Sequence, residues 1–148
     1  MKALSLTQPW ASLVQIGAKK VETRSWYTSY RGPLVIHAAK GYPAWARATA
    51  AEPAFADALG CNCDPDNLPR GAGLCVVNLI ACVKTTELHK LDAIGFRLSV
   101  NEITFGDYGD RRYAWALEHE HDFVQPIPAK GALGLWQWTE RVTKAVYR

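Results

Sequence analysis

Residues 73–88, GLCVVNLIACVKTTEL, are the longest apolar run in the chain. A continuous run of this kind suits a strand that neighbours bury on both faces, because a half-exposed strand would alternate instead. A central strand demands partners on either side and cover above and below. At 148 residues the chain can supply that cover once. Two full domains would be cramped, so a single domain over 1–148 is expected. No stretch approaches 18 apolar residues, which excludes a membrane-spanning helix of ordinary length and any membrane partner built on one. The opening MKALSLTQPW has neither a long apolar segment nor a small-residue cleavage site, so a cytoplasmic protein is expected.

The flanking segments read as partners for that strand. In KALSLT, Leu4 and Leu6 share one face, and Ala3, Ser5 and Thr7 the other, which predicts a strand. Pro9 suits a first helical turn, and Trp10, Leu13, Val14 and Gly17 follow at helical spacing. KKVETRSW predicts a second strand with Lys20, Glu22, Arg24 and Trp26 on one face. PLVIHAAK predicts a third. Residues 44–59 are alanine-rich and helical, interrupted at Pro53, and 60–72 read as a mobile surface loop. Segments 86–112 show little periodicity. RYAWALEH and DFVQPIP are predicted as two strands joined by an acidic turn, EHEH, and GLWQWT as a short closing strand before a polar, helical tail. Five to seven short strands with inserted helices make an α+β protein, a small mixed β-barrel with flanking helices.

Four cysteines offer no C-x-x-C spacing. Cys61 and Cys63 lie in the polar loop, and Cys75 and Cys82 in the apolar run, so four plain thiols, no metal site and no cofactor are expected. His119-Glu120-His121 has the look of a metal hook, but with no second ligand group nearby in sequence it reads as a solvated hairpin turn.

Charge is unevenly spread. Residues 1–50 hold seven Lys or Arg and one acid, Glu22, whereas the remaining 98 hold ten basic and thirteen acidic residues. A net +6 beside a net −3 is the pattern of a basic patch, whose natural partner is a polyanion. The patch is also aromatic. VETRSWYTSYRG, residues 21–32, brings Arg24, Trp26, Tyr27, Tyr30 and Arg31 together with Glu22. Guanidinium forks suit phosphates and base edges, and aromatic faces stack unpaired bases. A carboxylate repels phosphate, so Glu22 points to a site that reads a base or a small polar ligand as well as a backbone. Gln8 sits where a helix cap belongs and is placed to aim its amide at a ligand beside the N–H groups after Pro9. His37 alternates with apolar residues and reads as a satisfied, half-buried histidine. Lys40, just after it, is a phosphate contact.

These motifs together resemble the ASCH domain family, the activating-signal-cointegrator homology domain. The likeness rests on LSLTQPWASLVQIGAKKVETRSWYTSYRGPLVIHAAK, residues 4–40, with its QPWA, G-x-K, E-x-R-x-W and Y-R-G elements. GAGLCVVNLIACV and YAWALEHEHDFVQPIPAKGALGLWQW continue it. The helix and loop over about 44–72 are the variable part. The resemblance implies a fold similar to the PUA domain and a cleft beside G-x-K and E-x-R. It implies RNA as partner, single-stranded or structured, ahead of DNA. The implied ligand-binding set is Gln8, Pro9, Trp10, Lys20, Arg24, Trp26, Tyr30, Arg31, Lys40 and Lys130. Some relatives of this kind are amidohydrolases acting on acylated nucleosides such as N4-acetylcytidine, and a metal-dependent ribonuclease activity also occurs. In the amidohydrolase pattern a lysine in G-x-K precedes a threonine nucleophile by three residues, with a distant glutamate. Lys19 matches the lysine, but Glu22 stands where the threonine belongs, and Glu87 aligns weakly with the distant acid. Lys19 and Glu22 are therefore the catalytic pair if chemistry occurs, and binding without chemistry is the favoured reading.

Overall fold

The apolar run becomes β4 (Ala72–Lys84), third in a six-stranded sheet. The structure, a computed structural model, describes residues 1–60 and 63–141. Around β4 the chain lays down β1 (Lys2–Leu6), α1 (Trp10–Gln15), β2 (Val21–Arg24), β3 (Gly32–Ala38), α2 (Ala44–Ala50), α3 (Pro53–Leu59), α4 (His89–Asp92), α5 (Val100–Phe105), β5 (Tyr113–Pro128) and β6 (Leu135–Gln137). Strand order is β2-β5-β4-β3-β1-β6. Among the described residues only the β1–β3 pairing is parallel, and α1 with β2 forms the crossover that parallel neighbours require. The sheet curls into a half-barrel with helices packed against it.

Strand parity sorts the core. Leu4, Leu6, Leu34, Ile36, Leu79, Trp115 and Leu117 pack on one face against Ala11 and Val14 of α1. Ala3, Val35, Val76, Phe123 and Trp138 pack on the other. Both faces of β4 are thus buried, as its unbroken apolar sequence requires. Gly73 leaves room for Trp138, whose Cη2 would come 2.5 Å from a Cβ there. Pro53 separates α2 from α3 and occupies the first turn of the second helix, where its missing N–H costs nothing.

Two expectations need correction. EHEH is no hairpin turn: 113–128 form one strand of 16 residues, paired with β4 along its length except at residues 120 and 123–126. Long pairing with a buried partner overrides the polar composition, and the mismatch is absorbed by bulges. The featureless 86–112 segment holds two short helices, α4 and α5, where periodicity was too brief to show. The closing tryptophans differ in role. Trp138 is buried against Phe123, while Trp136 stands edge-on to His37 at a centroid distance of 5.2 Å. Cys75 and Cys82 are buried free thiols and Cys63 is half-buried; Cys61 and the helix expected after residue 141 lie outside the described residues.

Candidate functional site

Gly17 closes α1 with φ of 80°, and the chain turns back so that the Lys19 N–H donates to the Leu13 carbonyl at 3.0 Å. The Lys19 side chain then runs inward. It is 1% exposed, and its Nζ donates to the Val21 carbonyl. Glu102 meets the same segment from α5. Ser99 caps that helix by accepting from the Glu102 N–H, and the Glu102 carboxylate, instead of reaching back to the cap, accepts from the N–H groups of Lys20 and Val21 at 2.7 and 3.0 Å. Burial raises the Glu102 pKa above its ordinary value, opposed by the Lys20 N–H, the Lys19 charge and the Val21 N–H. Tyr108 lies in the same field. Burial, then the charges of Glu102 and Glu22, push its phenol up, and its hydroxyl has no hydrogen-bond partner among the described residues. Lys19 and Glu102 border a cleft of about 510 Å³ floored by Val77 and Leu117 and edged by Phe96, Arg97 and His119.

Glu22 does not share that cleft. It is buried, its Oε1 accepts from the Thr23 N–H at 2.9 Å, and it lines a separate hollow of about 520 Å³ with Trp10, Trp45, Asp107 and Arg112. Trp10 is half-buried there. Its indole N–H donates to the Phe105 carbonyl at 2.7 Å and its ring packs on Trp45 at 5.9 Å. Gln8 is turned wholly inward. Its Oε1 accepts from the Ser12 N–H at 3.0 Å, and its amide donates to Ser12 Oγ at 2.8 Å and to the Pro69 carbonyl at 2.7 Å. It caps α1 and anchors the 60–72 loop. Pro9 beside it is buried as well. Glu87 is ion-paired with Lys90 and is not part of the Lys19 cleft.

Two groups of basic residues lie towards the two ends of β3. At its start, Arg24 lies 6.0 Å from the Trp26 ring and Arg31 6.0 Å from the Tyr27 ring. Trp26 is half-buried and meets core Trp115 edge-on at 4.8 Å, Tyr27 is exposed, and Tyr30 donates its hydroxyl to the Pro33 carbonyl. Arg31 also donates to the Thr28 and Tyr30 carbonyls at 2.9 and 2.8 Å, which fixes the turn. Lys20 is exposed at the start of β2. At the far end of β3, Lys40, Arg70 and Lys130 rim an open cleft of about 1100 Å³. Arg47 and Arg70 both stand over Tyr42, at 5.2 and 5.9 Å. His37 forms the cleft floor. Its Nε2 donates to the Ala129 carbonyl at 2.8 Å, so Nδ1 is left to accept from Ser5 Oγ at 2.9 Å, the tautomer that satisfies both partners. Burial lowers its pKa, partly offset by the Ala129 bond.

Gln8 and Pro9 are buried structural residues, and the other residues singled out from sequence for binding or catalysis divide among four places: the Lys19 cleft, the Trp10–Glu22 hollow, the Arg24–Arg31 turn and the Lys40–Lys130 cleft. Sequence reasoning missed Glu102, Arg47, Arg70 and Tyr42. Ser99-x-x-Glu102 is a helix-start signature and would have marked α5. The arginines carry no local signal, because Tyr42 joins them only in space.

A profile of the ASCH domain matches residues 4–127. Activating signal cointegrator 1 of Homo sapiens is 29% identical over 140 residues, covering 94% of this chain and 22% of the relative, and the Mus musculus protein gives the same figures. The chain thus spans about a fifth of the length of these curated relatives. The crystal structure of ASCH from Zymomonas mobilis aligns with 86% of this chain and 72% of its own, at 15% identity and a TM-score of 0.46. A point variant of that protein gives 17% identity, 86% and 74% coverage and a TM-score of 0.48.

Proposed function

Because the chain belongs to the ASCH domain family, a PUA-like fold associated with RNA binding, we propose that it is a nucleic-acid-binding module that takes RNA, in single-stranded or locally unpaired form, ahead of DNA. One observation carries this reading: the charged side chains are segregated by partner. The ion pairs Glu87–Lys90, Asp92–Arg97 and Asp107–Arg112 all fall within residues 87–112. The four arginines that stand over aromatic rings, Arg24, Arg31, Arg47 and Arg70, all fall within 24–70, and none has a carboxylate within 4.0 Å among the described residues. An arginine held against a ring keeps its charge and most of its donors free for phosphate, with its side chain already ordered. Exposed Tyr27 adds a stacking face, worth on the order of 1–3 kcal/mol per base.

Arg31 and Lys40 lie just beyond opposite ends of β3, a seven-residue strand about 20 Å long. An RNA of several nucleotides is needed to engage both. Fluorescence anisotropy with a labelled single-stranded RNA tests this. Arg24→Ala/Arg31→Ala and Arg47→Ala/Arg70→Ala are each expected to weaken binding by at least about tenfold, with the melting temperature nearly unchanged in the second pair and lowered slightly in the first, where Arg31 also holds its turn. Binding that survives both double substitutions would sink the proposal.

A second reading has its own observation. Lys19 and Glu102 are buried together at the rim of a cleft, a pairing of lysine with acid that an amide hydrolase acting on an acylated nucleoside would use. Glu102 supplies the acid that neither Glu22 nor Glu87 brings to Lys19, and the threonine of that pattern is still absent. Release of acetate from N4-acetylcytidine, abolished by Lys19→Met, is the result this reading requires.

A further inference from the structure

The His119-Glu120-His121 segment lacked a second ligand group in sequence; the fold supplies one from the neighbouring strand. In the β4–β5 pairing Cys75 opposes Asp122 and Val77 opposes His119. Positions 75 and 77 share a face of β4. Positions 119 and 122, three apart, would fall on opposite faces of a regular strand. The register shift between Val76 and Val77 inserts one extra residue in β5, and it turns His119 and Asp122 to the same side as Cys75. Cys75 Sγ, an imidazole nitrogen of His119 and a carboxylate oxygen of Asp122 all lie within 4.8 Å of one another.

We propose that Cys75, His119 and Asp122 form a binding site for one zinc ion, with the fourth coordination position open towards the cleft that His119 shares with Lys19 and Glu102. The donor set selects the metal. A thiolate, an imidazole and a carboxylate match the preferences of zinc, whereas magnesium and calcium take oxygen alone. The dimensions allow it. Tetrahedral zinc with ordinary bond lengths holds its ligand atoms about 3.3–3.6 Å apart. His119 Nε2 and Asp122 Oδ1 now share a hydrogen bond of 2.8 Å, which the ion would replace, and the sulfur closes up on them by about an ångström through side-chain rotation. Both partners are accessible, with side chains 36% and 45% exposed, while Cys75 is fully buried and gives the site its inner wall. On binding, the S–H bond breaks, an S–Zn bond forms, and the proton leaves to solvent. Three protein ligands plus one open position is the arrangement of sites that hold a water or substrate group, and here one of the ligands, His119, itself lines the cleft that Lys19 and Glu102 border.

The test uses the whole chain, stripped with a chelator and dialysed metal-free. Zinc is titrated against a chromophoric chelator, and cobalt is titrated separately with absorption as the readout. Expected are one equivalent of zinc, a rise in melting temperature on its addition, and a thiolate-to-cobalt charge-transfer band in the near ultraviolet with the visible bands of a tetrahedral site. His119→Ala and Asp122→Asn, both at exposed positions, are expected to weaken zinc more than the roughly 10–100-fold that loss of a supporting contact costs. Cys75→Ser is expected to remove the charge-transfer band. Absence of stoichiometric uptake, uptake unchanged in both exposed variants, or uptake lost in Cys63→Ser instead, would each overturn the assignment. RNA affinity plays no part in these readouts, so this proposal and the nucleic-acid reading fail independently.

Discussion

Glu102 shows how much a single side chain decides here. Its carboxylate is the only bridge that we see between α5 and the start of β2 among the described hydrogen bonds. Glu102→Ala leaves two backbone donors without partners, at roughly 1–3 kcal/mol each where water cannot reach them. The melting temperature is expected to fall by about 5–10 °C; a change within about a degree would mean the tether carries no weight. The charge itself pulls the other way. With its folded-state pKa raised, Glu102 holds its proton more tightly in the fold than in the open chain. Its contribution to stability is therefore fully present below the ordinary 4.5 and is lost as pH rises through the folded value. Thermal midpoints of wild type and Glu102→Gln, compared across that window, are expected to show the downward slope in wild type alone. None of this was legible in the sequence. Lys19 and Glu22 stood out because they flank a motif, whereas Glu102 is 80-odd residues away and reaches the Lys20–Val21 backbone between them only through the fold. Gln8 stood out for its odd place at a helix start, and that oddity turned out to have an internal cause, the hydrogen bonds to Ser12 and Pro69.

At the level of elements, sequence and structure agree where one physical signal dominates. β4 was legible because an unbroken apolar run has few alternatives. The α2–α3 break was legible because proline enforces it. β1 was legible through alternation, and its two faces do enter different core clusters. β5 was misread because HEHD is polar, and polarity marks turns only when no long partner strand is available. Thirteen residues of β4 make one available. The cost of such tight pairing is seen at Gly73, where Trp138 and Phe123 come within 2.5 and 3.0 Å of the place a Cβ would take. Gly73→Ala forces the Trp138 ring outward and is expected to destabilise the protein by about 1–3 kcal/mol, read as a shift of the urea midpoint with the slope unchanged. An unaltered midpoint would show that Trp138, just after β6, yields freely.

For the molecule as a whole, the uneven charge along the chain becomes an uneven surface. The +6 of residues 1–50 was legible by counting. What counting leaves out is that the fold recruits Arg70 and Lys130, from far along the chain, to the same cleft as Lys40, and lets residues 87–112 pair three of their acids with bases of their own. The ASCH profile fixes the family of the domain; the nucleic-acid reading rests on that segregation of charge. Its most direct test is the salt dependence of single-stranded RNA affinity. If the four ring-held arginines meet phosphates, log K is expected to fall with log salt with a slope of about −3, and to flatten by about half in either double arginine variant. A slope near zero, or one that the four substitutions leave unchanged, would contradict the account.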